Sequence, residues 1–180
     1  MRAVTLAAMA GEAPIRVVAY DPSWPRRFEA ERGLLLQLLG EHSPGGVHHV
    51  GSTAVPGMAA KPTIDIMAGV AGLADSRACF EPLSGAGYQY APYRAEEMHW
   101  FCKPDPVRRT FHLHLVPCDS RRFRAALAFR DALRSDPACA AEYATLKLGL
   151  AERFAKDRDA YTEAKANFIL AVCARALDAD

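Results

Sequence analysis

The hydrophobic pattern alternates between short β-prone runs and helical stripes as far as Pro117, and is helical throughout beyond it. Ile15-Arg16-Val17-Val18-Ala19-Tyr20 reads as an edge strand or an extended lead-in. Asp21-Pro22-Ser23-Trp24-Pro25 stops it and starts a helix, with Ser23 or Trp24 at the cap and Pro25 in the first turn, where a missing N–H costs nothing. Phe28, Leu35 and Leu38-Leu39 then recur at helical spacing up to Gly40. Pro44-Gly45-Gly46 turns the chain into a short strand at Val47 to Val50, and a small-residue loop leads to a second strand from Thr63 to Val70.

Asp75 to Leu83 predicts a helix closed by Gly85 and Gly87. Further strands are predicted at Tyr88-Gln89-Tyr90, at His99 to Cys102 and, most clearly, at Phe111 to Val116. Asp119-Ser120 and Asp136-Pro137 are good helix starts, because a cap side chain satisfies free amides and proline fits the first turn. Phe123, Leu127 and Arg130-Asp131 mark one helix, Tyr143, Leu146 and Leu150 a second, and Tyr161, Phe168 and Val172 a third. The class is therefore α/β (α+β), a mixed sheet flanked by helices with a helical C-terminal third. The expected division is a flexible tail at 1–13, an α/β core at 14–118 and a helical segment at 119–180 packed on that core, all in one structural domain.

Composition adds little to this picture. At 180 residues, 51% hydrophobic and 24% charged, the chain is long enough to bury a core and ordinary in make-up. Lys plus Arg number 22 against 21 for Asp plus Glu, a formal net charge of +1, which gives no global attraction to nucleic acid or to an anionic membrane. Cys79, Cys102, Cys118, Cys139 and Cys173 are odd in number and widely spaced, so reduced thiols in a cytoplasmic protein are expected rather than a disulfide framework. No apolar run approaches the ~20 residues that cross a bilayer, and Met1 to Ala10 is too short and too lightly charged to read as a signal peptide.

The chemistry concentrates in His49-Val50-Gly51-Ser52-Thr53-Ala54-Val55-Pro56-Gly57-Met58-Ala59-Ala60-Lys61-Pro62-Thr63-Ile64-Asp65-Ile66. A strand ending in Gly51-Ser52 brings backbone amides and a hydroxyl close to phosphate oxygens, because glycine has no side chain in the way. Asp65 stands in the apolar run Ile64-Asp65-Ile66-Met67, where a carboxylate is costly unless paired or bound to a metal. Lys61 at the mouth of that strand can supply positive charge. The residues alone equally allow a glycine-rich turn followed by a strand whose Asp caps something local.

This segment resembles the central motif of the GrpB-like family, a strand followed by Gly-Ser-(Thr)-x-x-Pro-Gly-x-x-x-Lys-Pro-x-x-Asp. Tyr20-Asp21-Pro22-x-Trp24-Pro25, Phe111-His112-Leu113-His114-Leu115-Val116, Phe129-Arg130-Asp131-x-Leu133-Arg134, Tyr143-x-x-Leu146-Lys147 and Tyr161-Thr162-x-x-Lys165-x-x-Phe168-Ile169 extend the resemblance from about Ile15 to about Arg175. The resemblance implies a nucleotidyltransferase-like core, in which a Gly-Ser loop holds nucleotide phosphates and an Asp-x-Asp pair binds magnesium. Gly51, Ser52 and Thr53 match the loop and Asp65 the first acid, but the second acidic position is Met67. A two-metal mechanism needs carboxylates bridging both ions, and only one is present.

His112 and His114 offer a replacement. Two residues apart on a strand, they share a face, and they converge with Asp65 if the two strands are neighbours. Two imidazoles and a carboxylate suit zinc, manganese or iron better than magnesium, although any divalent metal (Mg, Mn or Zn) stays open at this point. Alternatively the histidines act as acid-base groups or phosphate donors, or are half-buried strand residues bonded to backbone. Structural roles are expected for His48, His49 and His99; the first two point to opposite faces of a strand.

Arg109, beside Arg108, can clamp a phosphate by forked hydrogen bonds. Lys147, Tyr161 and Lys165 match family positions, and the last two, four apart, share a helix face toward a nucleotide or other phosphorylated ligand. No nucleophile elbow, P-loop or dinucleotide fingerprint occurs. The expected function is metal-dependent nucleotidyl or phosphoryl transfer to a small molecule, with no nucleic-acid or membrane partner. The alternatives are a non-catalytic nucleotide-binding module linked to coenzyme A metabolism, and a transition-metal His/Asp enzyme of another reaction class.

Overall fold

A computed structural model describes residues 14–177, so the tail expected at 1–13 lies outside the described residues. The strands are β1 (Val47–Val50), β2 (Ile64–Val70), β3 (Gln89–Tyr90), β4 (His99–Lys103) and β5 (Phe111–Pro117). They form one five-stranded mixed sheet in the order β1-β2-β5-β4-β3. The central pair, β2 and β5, is parallel, with Asp65 in register with His112 and Met67 with His114; the other pairs are antiparallel. A parallel pair cannot be closed by a hairpin, and here the connection runs through β3 and β4.

Helix α1 (Trp24–Leu39) has Pro25 in its first turn and ends at Gly40, whose φ of 49° relieves the C-terminus of a side-chain clash. Its apolar stripe, Trp24, Phe28, Leu35 and Leu39, packs on one face of the sheet against Val47, Ile64, Ile66, Ala68, Leu113 and Leu115. Each fully buried aliphatic side chain there is worth about 1.5–3 kcal/mol over exposure. The lead-in makes a single bridge, Val18 with Ala60, rather than a strand. The helix expected over Asp75 to Leu83 is a 3-10 segment, Asp75–Cys79, followed by α2 (Phe80–Gly85). Pro82 is the reason: it has no N–H to bond back toward residue 78, so an α ladder cannot run through it.

The opposite sheet face carries Val50, Met67, Trp100, Cys102 and Val116, partly covered by Phe123 of α3 (Arg121–Ser135). Ser120 caps α3 by accepting from the Phe123 amide, and Asp136 caps α4 (Pro137–Arg153) by accepting from the Ala138 and Cys139 amides. These helices pack with the loop residues Val55 and Met58 and with Val172 and Cys173. The single helix expected around Tyr161, Phe168 and Val172 is two, α5 (Arg158–Glu163) and α6 (Ala166–Leu177). No helix-breaking residue stands between them, so packing decides. Tyr161 is buried, and Phe168 stacks on Tyr143 with ring centroids 5.2 Å apart. Lys165 sits at the break.

Candidate functional site

Strand periodicity puts Asp65 and Met67 on the face away from α1, and the parallel register brings His112 and His114 beside them. His112 Nδ1 lies 2.9 Å from Asp65 Oδ1, and His114 Nε2 lies 3.9 Å from the same oxygen, beyond hydrogen-bond reach. One donor atom from each of the three lies within 4.8 Å of the others. Burial opposes ionisation of Asp65, but the His112 hydrogen bond and the nearby His114 outweigh it and hold the carboxyl below its usual range. Burial also pushes the His112 imidazole down, although Asp65 pulls the other way. The pair therefore rests as a carboxylate and a neutral imidazole. With Nδ1 donating to Asp65, His112 Nε2 is left as a buried lone pair without a partner, and the Trp100 ring lies 5.0 Å from the imidazole.

Gly51 shapes the carboxylate's other side. It sits at φ 69°, and a Cβ there would stand 2.5 Å from Asp65 Oδ2. Ser52 begins a 3-10 turn, Ser52–Ala54, beside Tyr143 on α4. Arg130 and Arg134 of α3 hold this loop by donating to the carbonyls of His49 and Ala54, at 3.2 and 2.9 Å.

Cationic side chains lie nearby. Lys165 Nζ stands 4.0 Å and Lys61 Nζ 5.3 Å from the centre of the Tyr161 ring. Lys147 is buried, donates to the Ala59 carbonyl at 2.6 Å and lies 4.9 Å over the Tyr143 ring. Burial, then repulsion from Lys165, pushes Lys147 down to about 7. Burial and Lys61 push Lys165 down to about 8 against the attraction of Asp65. Burial raises the phenols, Tyr161 to about 12.

Two of the expected residues are placed differently. Thr53 turns its hydroxyl inward, 3.0 Å from His49 Nε2 and 3.5 Å from the Thr63 carbonyl, because His49 needs a polar partner where it stacks on Phe28. Arg109 lies over the Trp100 ring at 5.2 Å and donates through Nε to the Pro106 carbonyl, so it adjoins His112 through that ring. His48 and His99 are bonded to the carbonyls of Gly45 and Leu73.

The family model described as GrpB protein matches residues 14–175. The chain belongs to the GrpB family. A UPF0157 protein of Pseudomonas aeruginosa is 39% identical over 92% of this chain and 69% of its own length. The glutamate-rich protein GrpB of Alkalihalophilus pseudofirmus is 33% identical over 85% of this chain and 90% of its own. The crystal structure of GrpB from Enterococcus faecalis superposes with a TM-score of 0.82 at 34% identity, covering 91% of this chain and 98% of that one. A dephospho-CoA kinase of Mycolicibacterium paratuberculosis is 32% identical over 85% of this chain, which matches only 44% of that protein.

In this GrpB chain a sequence reading does not single out Tyr143 as a neighbour of the site: burial first, then the charges of Tyr161 and Asp65, push its phenol up. Its signal is the four-residue spacing to Lys147, which puts both on one face of α4. A lone aromatic on an apolar stripe otherwise reads as core. Two grooves, of about 450 and 750 Å³, lie elsewhere, one between residues 55–58 and α4, the other along α3 and α6; neither is lined by Asp65 or the strand histidines. Among the described residues no helix is long and apolar enough to cross a membrane, and all five thiols are free.

Proposed function

We propose that this GrpB protein is a metal-dependent nucleotidyl- or phosphoryl-transferase acting on a small molecule. The observation that carries this reading is the nearness of two chemically opposite groups. Asp65, His112 and His114 converge, and Lys61 and Lys165, both over the Tyr161 ring, are near enough that Lys61 acts on His112 and Asp65 on Lys165. A metal ligand set must be deprotonated, and an ionised carboxylate beside a neutral imidazole meets that requirement.

The donor set is one carboxylate and two imidazoles, which fits a single zinc or manganese ion. It does not fit a pair of magnesium ions: the second acidic position is Met67, buried against Val50, Trp100 and Phe123. When bound, such an ion would polarise a phosphoryl oxygen and offset developing charge. Asp65 and the two histidines would hold it, and Gly51 would leave room for the carboxylate. The amides of Gly51 and Ser52, with Lys61 and Lys165, would hold the phosphates. A cytoplasmic setting accords with five free thiols.

Met67 also favours a second reading, a non-catalytic nucleotide-binding module. Relatives named dephospho-CoA kinase, in which the matched region is under half of the protein, suggest that such a module would serve coenzyme A metabolism.

Metal analysis with calorimetric ATP titration tests the first reading, on wild type, Asp65→Ala and His112→Ala/His114→Ala. It expects stoichiometric metal in the wild type, lost in both variants together with metal-dependent ATP binding. A wild type that binds neither metal nor ATP would overturn it; ATP binding without turnover of any acceptor would favour the module.

A further inference from the structure

We infer that Met98 is a positioning residue of the proposed metal site: its thioether accepts the Nδ1 proton of His114 and leaves the Nε2 lone pair of that ring facing Asp65. The use of Nε2 as a ligand atom rests on the metal reading; the tautomer and its dependence on Met98 do not.

Strand pairing brings the two side chains together. Trp100 stands opposite His114 across β4 and β5. Met98 comes two residues before Trp100, hence on the same sheet face and diagonal to His114, within reach of a long side chain. His99, between them, turns to the other face and bonds the Leu73 carbonyl. Met98 Sδ lies 3.4 Å from His114 Nδ1. Its backbone holds it there. The Arg94 carbonyl accepts from the amides of Glu97 and Met98, at 2.8 and 3.1 Å, and Arg122 of α3 donates to the Glu97 carboxylate at 2.7 Å. Met98 is buried, so water is kept from the sulfur.

Donor and acceptor chemistry then fixes the proton. A thioether has lone pairs and no proton, so it can only accept. A hydrogen bond at this sulfur therefore requires the proton on Nδ1, and a neutral imidazole of that form has its lone pair on Nε2. The other tautomer would set nitrogen and sulfur lone pairs against each other. It would also aim Nε2–H at Asp65 Oδ1, which is 3.9 Å away, beyond hydrogen-bond reach, and already lies 2.9 Å from His112 Nδ1. The two rings are thus unequal: His112 spends its Nδ1–H on Asp65, whereas His114 turns a lone pair toward the carboxylate. Metal-ligating histidines are usually oriented by a carboxylate or carbonyl on the far nitrogen, which also raises their basicity. A thioether, neutral and a weak acceptor, orients the ring while adding little charge to it. A leucine would fill the cluster of Met67, Trp100, Val116 and Phe123 as well, but would orient nothing.

The test reads the tautomer without metal. In EDTA at about pH 8.5, where a free imidazole is neutral, long-range proton–nitrogen correlation NMR of labelled imidazoles separates Nδ1–H from Nε2–H, with His114 assigned by the signal lost in His114→Gln. Wild type should carry the proton on Nδ1. Met98→Leu, which keeps the bulk and removes the acceptor, should move it to Nε2 and weaken zinc, titrated separately, by roughly 10–100-fold. Met98→Gln, whose amide carbonyl is a stronger acceptor at similar reach, should keep Nδ1–H and restore most of the zinc affinity. A wild type with its proton on Nε2 overturns the inference, as does a Met98→Leu variant that keeps Nδ1–H. If Met98→Gln behaves as Met98→Leu does, the contact is packing and not a hydrogen bond. Where a variant fails to fold, the wild-type spectrum decides. A wild type that binds no zinc but shows the Met98-dependent tautomer sinks the metal reading alone; wild-type zinc affinity kept in Met98→Leu sinks only the role of Met98.

Discussion

Gly51 and Asp65 occupy space that only a glycine leaves open: a Cβ on Gly51 would stand 2.5 Å from Asp65 Oδ2 and 3.1 Å from Asp65 Cβ. The glycine is also at φ 69°, where a side chain is strained in any case. Val50 pairs with Asp65 across β1 and β2, so the loop leaving β1 must pass directly over the carboxylate. The position of the carboxylate relative to His112 thus depends on a residue that makes no polar contact with it.

Gly51→Ala should therefore damage the site and the fold together. Strain at this φ costs about 1–3 kcal/mol, and a displaced carboxylate should lower metal affinity by roughly 10–100-fold, as loss of a ligand's supporting contacts does. Urea denaturation checks the first and zinc or manganese titration the second. A variant with unchanged metal affinity would show that Asp65 is not held by the loop.

How much of this was readable in the sequence depends on the range of the contact. Asp65, the Gly51-Ser52 loop and the His112/His114 pair were visible because each is a local pattern: a charge in an apolar strand, a small-residue turn, an i,i+2 repeat. Their meeting was not, because it depends on β2 and β5 being neighbours across a connection that detours through β3 and β4. The partner of Thr53 was not legible, because its 3.0 Å contact with His49 joins a loop hydroxyl to a strand imidazole. The break at Ala164-Lys165 was invisible for the opposite reason. The local residues favour one helix, and packing at Tyr161 and Phe168 overrides them.

Lys147 gives the pH dependence its sign. Its folded value of about 7 lies below the ordinary 10.5, so between these limits the unfolded chain binds more protons than the folded one. Stability contributed by this group therefore rises as pH rises from about 7 toward 10.5 and is lowest where the ammonium must be buried charged. Lys147→Met keeps much of the stem and removes the titration. The difference in unfolding free energy, wild type minus variant, should climb between pH 7 and 9.5, measured by urea denaturation at matched ionic strength. A flat difference would mean that Lys147 keeps its ordinary value in the fold.

Met67 stands two residues after Asp65 on β2 and is packed into an apolar cluster. The side chain is 2% exposed, lies in register with His114 on one side and His48 on the other, and belongs to a cluster with Val50, Met98, Trp100, Cys102, Val116 and Phe123. An aspartate there would be surrounded by hydrocarbon and sulfur, with no cation supplied by that cluster. Met67→Asp should therefore destabilise the metal-free protein by about 3 kcal/mol or more, as an unpaired buried carboxylate does, and should confer no magnesium binding. Denaturation in EDTA and magnesium calorimetry read the two effects separately. A stable variant that binds magnesium would show the cluster to be no barrier to a second carboxylate. Loss of stability without magnesium binding would mean that the cluster, and not Asp65 alone, selects a site with imidazole ligands.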